Sequence, residues 1–486
     1  MFQKYLNVLL AILSGIILAI SSPPSFLGWL IFLGFLPLLA AIYQSKNAKN
    51  AFFLGGLVGL IYFGWGLRWF FAALPLAWAG IQSYFWGFIF TLLVAWLPTT
   101  LCLALFWGLF SWGAWRLFNW KKIGFIFVPF LFGGLEYLRA WGPSVLWAGS
   151  EAQIGPFWTL LNPAYNLAWF SAWRSLSFWG GIYFLDFLLM LGALALFFIV
   201  KHFWLAKIAR PEKKFLGATL LILAAVNFLP QPPRQNPPTK IFVLQTKQNS
   251  SFQNTFAQET AAFQEQIALL KEIAEKDFAE ALIFFPEDSR FLGTFPTAAR
   301  VQTARLLAER PVLLIDSART ANQQSLIYFY DTGSPTFVAT SPKIFLIPGG
   351  EYLPYTIKFL AILLGRGDYI EKFNAARQYI SGQKLRTADW QKIKIGGELC
   401  SSMMAPGIYA QARRQGVDIL FNLASHAIFK GSPILEAQNL AMAQMRAAEN
   451  NRPMVQATNY GLSFVLDGWG NVLKKTDSPE PRVLEY

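Results

Sequence analysis

Charged residues are scarce in this sequence of 486 residues, where Asp, Glu, Lys and Arg together make up only 14%. Soluble globular proteins carry about 25%, so the composition argues against a wholly soluble protein and against a disordered one. Histidine and cysteine are also scarce, with two of each. Cys102 lies in an apolar run, so a bridge to Cys400 is not expected. The chain therefore has few His and Cys ligands for a soft metal ion, and we expect no metal and no cofactor.

Acidic residues are rarest in the first half of the chain. The first 235 residues contain 15 Lys and Arg but 4 Asp and Glu, whereas the remainder contains 26 and 23. This shift in composition marks two domains. The net charge of +14 is compatible with a nucleic-acid partner, but most of the excess lies in short loops between apolar runs. Membrane topology explains that distribution better, so we expect a membrane and no nucleic acid.

Long apolar stretches fill residues 1–230. A helix needs about 20 apolar residues to cross a hydrocarbon core of about 30 Å. Seven stretches approach this length, at about residues 5–21, 25–43, 51–72, 84–115, 123–140, 178–200 and 214–230. The loops after the second, fourth and sixth stretches carry Lys and Arg, and they lie on the same side as Lys4. By the positive-inside rule that side is cytoplasmic, so the chain after these stretches is expected on the outer face.

Glu136 and Arg139 are the clearest charged pair within an apolar stretch. They are three residues apart, so they share one helix face and can pair. We favour a structural ion pair over a polar relay, because buried charges are usually paired. A transporter, with such groups in several spans or in repeated halves, is the weakest interpretation.

A Pro-rich segment at residues 231–239 predicts an extended linker. Beyond it, residues 240–486 alternate between strand and helix patterns, which predicts an α/β domain with helices covering its sheets. The expected strands are residues 240–246, 281–286, 311–317, 325–330, 336–340, 393–400, 417–424, 453–458 and 462–467. The expected helices are residues 256–276, 297–310, 405–416 and 433–451. The apolar residues 352–364 fit either an arm at the membrane surface or an ordinary core helix.

Three reactive side chains lie at or near predicted strand ends, where α/β sheets place their chemistry. They are Glu287, Lys343 and Cys400. Alone, each fits a turn, a surface position or a small buried side chain. Together, in this order, they resemble the nitrilase or carbon–nitrogen hydrolase superfamily. That resemblance implies Cys400 as nucleophile, Glu287 as its general base and Lys343 as the group that stabilises the oxyanion and transition state. Residues 416–422, 445–453 and 457–463 extend the likeness.

A nitrilase-like domain behind several membrane spans resembles the apolipoprotein N-acyltransferase family. The segment 343–354 (KIFLIPGGEYLP) is the closest match. Residues 28–29, residues 35–39 and Glu136 with Arg139 before Trp141 also match. The resemblance implies an αββα sandwich after the membrane helices, on the periplasmic face of a bacterial cytoplasmic (inner) membrane.

The implied reaction moves a fatty acyl group from a phospholipid, through a thioester on Cys400, to a lipoprotein. The acceptor is the N-terminal amine of its diacylglyceryl-cysteine. The resemblance also implies Glu351 as a supporting carboxylate, and a simple turn cap is the alternative. By analogy with other nucleophile elbows, the backbone N–H of Ser401 is expected to be a second oxyanion donor.

Several positions depart from the family pattern. Ser401 and Ser402 stand where Tyr and Glu are usual, residues 426–429 (HAIF) replace Asp-Ala-Trp-Phe, and Gln456 replaces an Arg. The sequence ends at Tyr486 without the final membrane helix that the family normally carries. Two other functions stay open: a membrane-tethered amidase that uses water as acceptor, and a catalytically impaired homologue that acts as a scaffold. Retention of Glu287, Lys343 and Cys400 argues against the scaffold.

Overall fold

The computed structural model describes residues 2–22, 24–77, 80–121, 123–205, 210–249, 255–307 and 310–486. Its first half is helical. The α-helices there are α1 (Phe2–Ser21), α2 (Leu30–Tyr43), α3 (Ala48–Gly66), α4 (Tyr84–Phe90), α5 (Leu97–Asn119), α6 (Val128–Arg139), α7 (Gly142–Leu146), α8 (Ser171–Ser175), α9 (Ser177–Leu205) and α10 (Arg210–Val226).

Within the described residues, five helical segments are long and apolar enough to cross a membrane. They are Gln3–Ser21, Phe26–Tyr43, Ala48–Ala73, Tyr84–Asn119 and Ser177–Phe203. The fourth contains a π-helical section, Thr91–Trp96, between α4 and α5. The other two predicted stretches are helical but shorter, since α6 has 12 residues and α10 has 17. The predicted set of about seven helices thus consists of five long segments and two short ones.

Close packing of small residues joins α3 to α5. A side-chain carbon at Gly55 would lie 2.0 Å from the Ser111 hydroxyl oxygen, and one at Gly59 would lie 2.8 Å from the Ala104 Cα. Membrane helices associate through such small residues because lipid provides no hydrophobic drive between them. The contact fixes α5 and, with it, the π-helical section that precedes it.

The predicted ion pair between Glu136 and Arg139 is confirmed, with 2.8 Å between Arg139 Nε and Glu136 Oε2 and both side chains buried. The Trp107 indole N–H donates to Glu136 at 2.9 Å, and Arg139 donates to the Leu160 carbonyl at 3.0 Å. Asn162 donates to Glu136 at 3.2 Å. These contacts tie α5, α6 and the following loop together, as a structural pair would.

The second half alternates strands and helices. Its strands are β1 (Lys240–Gln245), β2 (Ala281–Phe284), β3 (Val312–Arg319), β4 (Ser325–Asp331), β5 (Phe337–Pro342), β6 (Ala388–Trp390), β7 (Ile393–Leu399), β8 (Ile419–Ser425), β9 (Met454–Asn459), β10 (Phe464–Leu466), β11 (Val472–Lys475) and β12 (Arg482–Glu485). Its α-helices are α11 (Phe256–Ala274), α12 (Phe291–Thr294), α13 (Pro296–Leu307), α14 (Tyr355–Leu363), α15 (Gly367–Arg377), α16 (Pro406–Arg414) and α17 (Pro433–Asn450).

Two six-stranded sheets form in this part, with the orders β12-β1-β2-β3-β4-β5 and β11-β10-β9-β8-β7-β6. Strands β1–β3 are parallel, and so are β7–β9. Apolar side chains from both sheets share one buried cluster, so the sheets face each other. Helices α11 and α13 cover the outside of the first sheet, and α16 and α17 lie outside the second. The predicted αββα sandwich is confirmed.

Contacts from α17 hold the sandwich on the membrane helices. The Glu449 carboxylate accepts the backbone N–H of Ile182 at 2.9 Å, where α9 is interrupted at Gly180 and Gly181. Gly181 has φ +68°, a conformation that glycine adopts without strain. Arg174 donates to the Trp469 carbonyl at 2.6 Å. The site described next is therefore anchored to the helical half.

Residues 227–239, which include the predicted Pro-rich linker, connect α10 to β1 without a helix or strand. The Trp469 indole donates to the Pro232 carbonyl at 3.0 Å, and Gly468 N–H donates to the Gln235 carbonyl at 2.7 Å. These bonds hold the extended segment against the sandwich.

Candidate active site

Glu287 and Lys343 reach the same buried point from different strands. Glu287 follows β2, and its N–H donates to the Ala424 carbonyl of β8 at 3.4 Å. Lys343 follows β5, and its N–H donates to the Ser325 carbonyl at 2.8 Å. The Lys343 Nζ lies 2.8 Å from Glu287 Oε1, with side-chain exposures of 1% and 9%. The structure therefore brings two of the three predicted residues into direct contact.

Glu351 completes a cluster of one cation and two carboxylates. Its Oε1 lies 2.9 Å from Lys343 Nζ, and its Oε2 accepts the Ile347 N–H at 2.9 Å. One oxygen of Glu351 thus holds Lys343, and the other caps the turn that begins at Ile347. The supporting carboxylate and the turn cap each describe part of its contacts.

Cys400 begins a 3-10 helix, Cys400–Met404, directly after β7. Its φ is +46°, in the left-handed region that non-glycine residues seldom occupy and that concentrates at functional sites. The Sγ lies 3.9 Å from the Ser425 carbonyl oxygen, and the Ser401 hydroxyl donates to the Phe345 carbonyl at 3.1 Å. The first N–H groups of a helix have no partner within it, and the role of the Ser401 N–H as an oxyanion donor stays a prediction.

Burial, together with the nearby Glu287 carboxylate, favours the protonated form of the Cys400 thiol. Burial raises the pKa of the thiol, the Glu287 carboxylate raises it further, and Lys343 opposes both. Burial alone would lower the pKa of Lys343, but Glu287 and Glu351 outweigh it, and the pKa is raised. The lysine is therefore an ammonium, and the thiol needs a base before it can react.

Glu398 is a buried acid that the sequence pattern did not single out. It lies on β7, two residues before Cys400, and it is fully buried. Its Oε2 accepts the Ile344 N–H at 3.4 Å, the Leu399 N–H at 3.2 Å and the Ser402 hydroxyl at 3.2 Å. It therefore links the segment that carries Lys343 to the segment that carries the nucleophile. A carboxylate within an apolar strand was the signal in the sequence.

His426 is a second residue at the site whose chemistry was not predicted, although its position was noted as a departure from the family. Its ring is buried, and its Nδ1 lies 2.6 Å from Glu436 Oε1. The signal in the sequence was the scarcity of histidine, since the whole chain has two.

A cavity of about 550 Å³ joins these residues to the membrane helices. Glu287, Lys343, Glu351, Cys400 and His426 line it. Its apolar wall comes from the helical half and includes Trp69, Phe70, Leu76, Phe90 and Val94. The volume falls within the range of small-molecule sites. The cavity therefore combines apolar lining that suits an acyl chain with the reactive groups.

Helix α14 shows which interpretation of residues 352–364 holds. Phe359, Ile362 and Leu363 are 69%, 66% and 70% exposed, so the ordinary core helix is wrong. The helix begins beside the site, where Tyr355 N–H donates to the Ala148 carbonyl at 2.8 Å. An exposed apolar helix next to membrane spans fits an arm at the membrane surface.

Comparisons with known proteins match both halves of the chain to families. The carbon-nitrogen hydrolase family matches residues 243–485, and the apolipoprotein N-acyltransferase N-terminal domain matches residues 14–195. An apolipoprotein N-acyltransferase of Gloeobacter violaceus is 26% identical, with 97% of this chain and 86% of that protein covered. One of Geobacter metallireducens is 25% identical, with 98% and 88% covered.

Among solved structures, an amidase from Nesterenkonia sp. superposes with a TM-score of 0.37 at 15% identity, covering 52% of this chain and 91% of the amidase. The matched families cover both halves of the molecule, the helical part and the sandwich that carries Cys400. The chain belongs to the apolipoprotein N-acyltransferase family, within the carbon–nitrogen hydrolase superfamily.

Proposed function

We propose that this enzyme transfers a fatty acyl group from a membrane phospholipid to the N-terminal amine of diacylglyceryl-cysteine on apolipoproteins, through a thioester on Cys400. One observation carries the proposal. The Glu287–Lys343 pair and Cys400 line a cavity whose opposite wall is built from apolar residues of the helical half. Both lipid substrates stay in the bilayer, so a site open to it holds the reactants close together.

In the first step Glu287 takes the thiol proton as Cys400 Sγ attacks the carbonyl carbon of the donor ester. The ammonium of Lys343 and the N–H of Ser401 stabilise the oxyanion that forms. The carbon–oxygen bond to the glycerol then breaks, and Glu287 returns the proton to the leaving oxygen. A thioester and a lysophospholipid result.

In the second step the acceptor amine attacks the thioester carbonyl. The same donors stabilise the second oxyanion. Glu287 accepts the proton that the amine loses, the carbon–sulfur bond breaks, Glu287 passes the proton to the sulfur, and an amide forms. Glu351 acts as a positioning residue here, because it fixes Lys343 from the side opposite Glu287 and keeps it charged.

The chain is a multi-pass bacterial membrane protein, and we propose that its sandwich lies on the external, periplasmic face of the cytoplasmic membrane. The Lys and Arg residues between the helices support this orientation, because they gather on the side opposite the expected exit of the chain. The exposed apolar side chains of α14 then enter the outer leaflet beside the cavity.

The acceptor decides between acyl transfer and hydrolysis. The test begins with protein loaded with an acyl group on Cys400, to which a diacylglyceryl-cysteine peptide is added. We expect rapid discharge and an amide product, and slow discharge with the same peptide after its amine has been acetylated. Release of free fatty acid at one rate with both peptides would contradict acyl transfer and favour the amidase alternative.

A further inference from the structure

We propose that His426, held by Glu436, binds the headgroup phosphate of the phospholipid donor while its ester lies at Cys400. The inference rests on the proposed function, because it takes the donor to be a glycerophospholipid. It adds a residue pair that distinguishes the donor from the acceptor.

The position of His426 places it next to the reacting atoms. It directly follows Ser425, whose carbonyl oxygen is 3.9 Å from the Cys400 Sγ. Its own N–H donates to the Asn459 carbonyl at 2.9 Å, and its ring lines the same cavity as Cys400. A group bound to His426 therefore lies in the cavity that also holds the nucleophile.

The contacts of Glu436 fix the ring. Its Oε1 is 2.6 Å from His426 Nδ1, and its Oε2 accepts the Leu462 N–H at 3.1 Å. A side-chain carbon at Gly461 would lie 2.7 Å from Glu436 Oε1 and 2.8 Å from His426 Nδ1, so the pair needs glycine there. Within the described part of the chain, Nε2 makes no hydrogen bond. It is the donor left for a ligand in the cavity.

Electrostatics favour a charged ring. Burial lowers the pKa of His426, whereas the carboxylates of Glu436 and, to a smaller extent, Glu287 raise it. The carboxylates outweigh burial, so the pKa is raised. A protonated imidazole donates from both nitrogens, so one N–H bonds Glu436 and the other faces the cavity.

The chemistry of the two substrates makes phosphate the matching ligand. A glycerophospholipid carries an anionic phosphodiester a few bonds from its acyl esters, whereas the diacylglyceryl acceptor carries none. The three other cations that line the cavity are already engaged: Lys343 by two carboxylates, Arg319 by Asp288 at 3.3 Å and Lys247 by Glu480 at 2.6 Å. Leu76 and Phe429 line the cavity with the ring, and a charge-assisted bond is strong in such surroundings.

The test measures lipid binding rather than acyl transfer, so its failure and the failure of the proposed function are distinguishable. A Cys400→Ala protein is titrated in detergent with fluorescent phosphatidylglycerol and with diacylglycerol of the same chains. Adding His426→Gln should weaken phosphatidylglycerol binding about tenfold or more and leave diacylglycerol binding within about twofold. Glu436→Gln should weaken phosphatidylglycerol binding less, because the ring stays in place. His202→Gln is the matched control, since this other histidine lies at the end of α9.

Three results would overturn the proposal: equal weakening for both lipids, no weakening for either, or displacement of phosphatidylglycerol by millimolar inorganic phosphate that depends on His426. The last would assign the ring to free phosphate. Unchanged elution of the variants in gel filtration would show that loss of binding is not loss of fold.

Discussion

At the scale of single residues, the site holds two carboxylates against one ammonium. Glu287 and Glu351 both lie within hydrogen-bond distance of Lys343 Nζ. Buried charges are costly unless they are paired, and here the surplus is negative. Burial is the main reason that the pKa of the Cys400 thiol is raised, and a thiolate would also add to this negative surplus.

The two carboxylates should differ in their effect on the first step. Glu287→Gln removes the base, and formation of the acyl thioester should slow by about 100-fold to 10,000-fold. Glu351→Gln keeps the base and the acceptor for Ile347 N–H, so we expect a loss of about tenfold. Mass spectrometry of the acyl adduct over time measures both. An equal loss in the two variants would contradict separate roles and make Glu351 a candidate base.

Glu398 should make the fold sensitive to pH. Burial raises the pKa of its carboxyl to about 7, against hydrogen bonds that lower it. The unfolded chain loses this proton near its ordinary value of about 4.3. Stability from the bound proton is therefore complete below that value and is lost as pH rises through about 7. The free energy of unfolding should fall by about 3 kcal/mol over this pH range.

Glu398→Gln stays neutral and can still accept the Ile344 and Leu399 N–H groups. Its melting temperature should equal that of the wild type near pH 4.5 and exceed it by several degrees at pH 8. Glu398→Ala is the control that loses the hydrogen bonds at both pH values. A difference that does not change with pH would show that Glu398 is ionised throughout.

The sequence predicted part of this site. Glu287, Lys343 and Cys400 follow strand patterns that can be read locally, and their order carries the family resemblance, although their roles stay predictions. Glu398 and His426 could not be assigned in the same way, because their partners come from elsewhere. Ile344 is 54 residues from Glu398, and the Glu436 contact depends on how α17 packs.

At the scale of elements, the loop after Lys343 positions Glu351, and the helix that follows it carries exposed apolar side chains. Residues 343–354 wrap Glu351 onto the lysine, and α14 then projects apolar side chains outward. The alternation of strand and helix patterns predicted the sandwich, because apolar residues recur with different periods in strands and in amphipathic helices. Strands β6, β11 and β12 were not predicted, because they are short and partly exposed. They lack the buried apolar run that makes the equally short β2 and β10 predictable.

Helix α14 should couple the site to the bilayer. Replacing Phe359 and Leu363 by Ser removes two exposed apolar side chains, each with about 1.5–3 kcal/mol of burial energy to gain from lipid. Acyl transfer from vesicles should fall about tenfold or more. Transfer from detergent-dispersed donor should be nearly unchanged. Lys372→Ala on α15, where the side chain is 78% exposed, is the control, and equal losses with vesicles and detergent would contradict a membrane arm.

At the scale of the whole molecule, neither half contains the complete site. The sandwich contributes the reactive groups, and the helical half contributes the apolar wall of the cavity. The contact of Glu449 with Ile182 keeps the two in register. The apolar composition predicted the helices, but the shared cavity depends on the packing of segments hundreds of residues apart, which no local pattern contains.

The orientation of the sandwich can be tested in intact cells. Thr336→Cys, in the exposed turn between β4 and β5, should react with a membrane-impermeant maleimide. Lys46→Cys, in the loop between α2 and α3, should react only after the cells are opened. Background labelling of the two native cysteines should be low, because Cys102 and Cys400 are partly buried. The opposite labelling pattern would place the sandwich in the cytoplasm.

The most direct measurement is the intact mass of the purified protein after incubation with phospholipid, beside a Cys400→Ala control. We expect a fatty-acyl adduct that maps to Cys400 and is absent from the control. No adduct with several phospholipids and pH values would contradict this expectation. The chain would then be a catalytically impaired member of its family, with Ser401 and Ser402 as the first positions to restore.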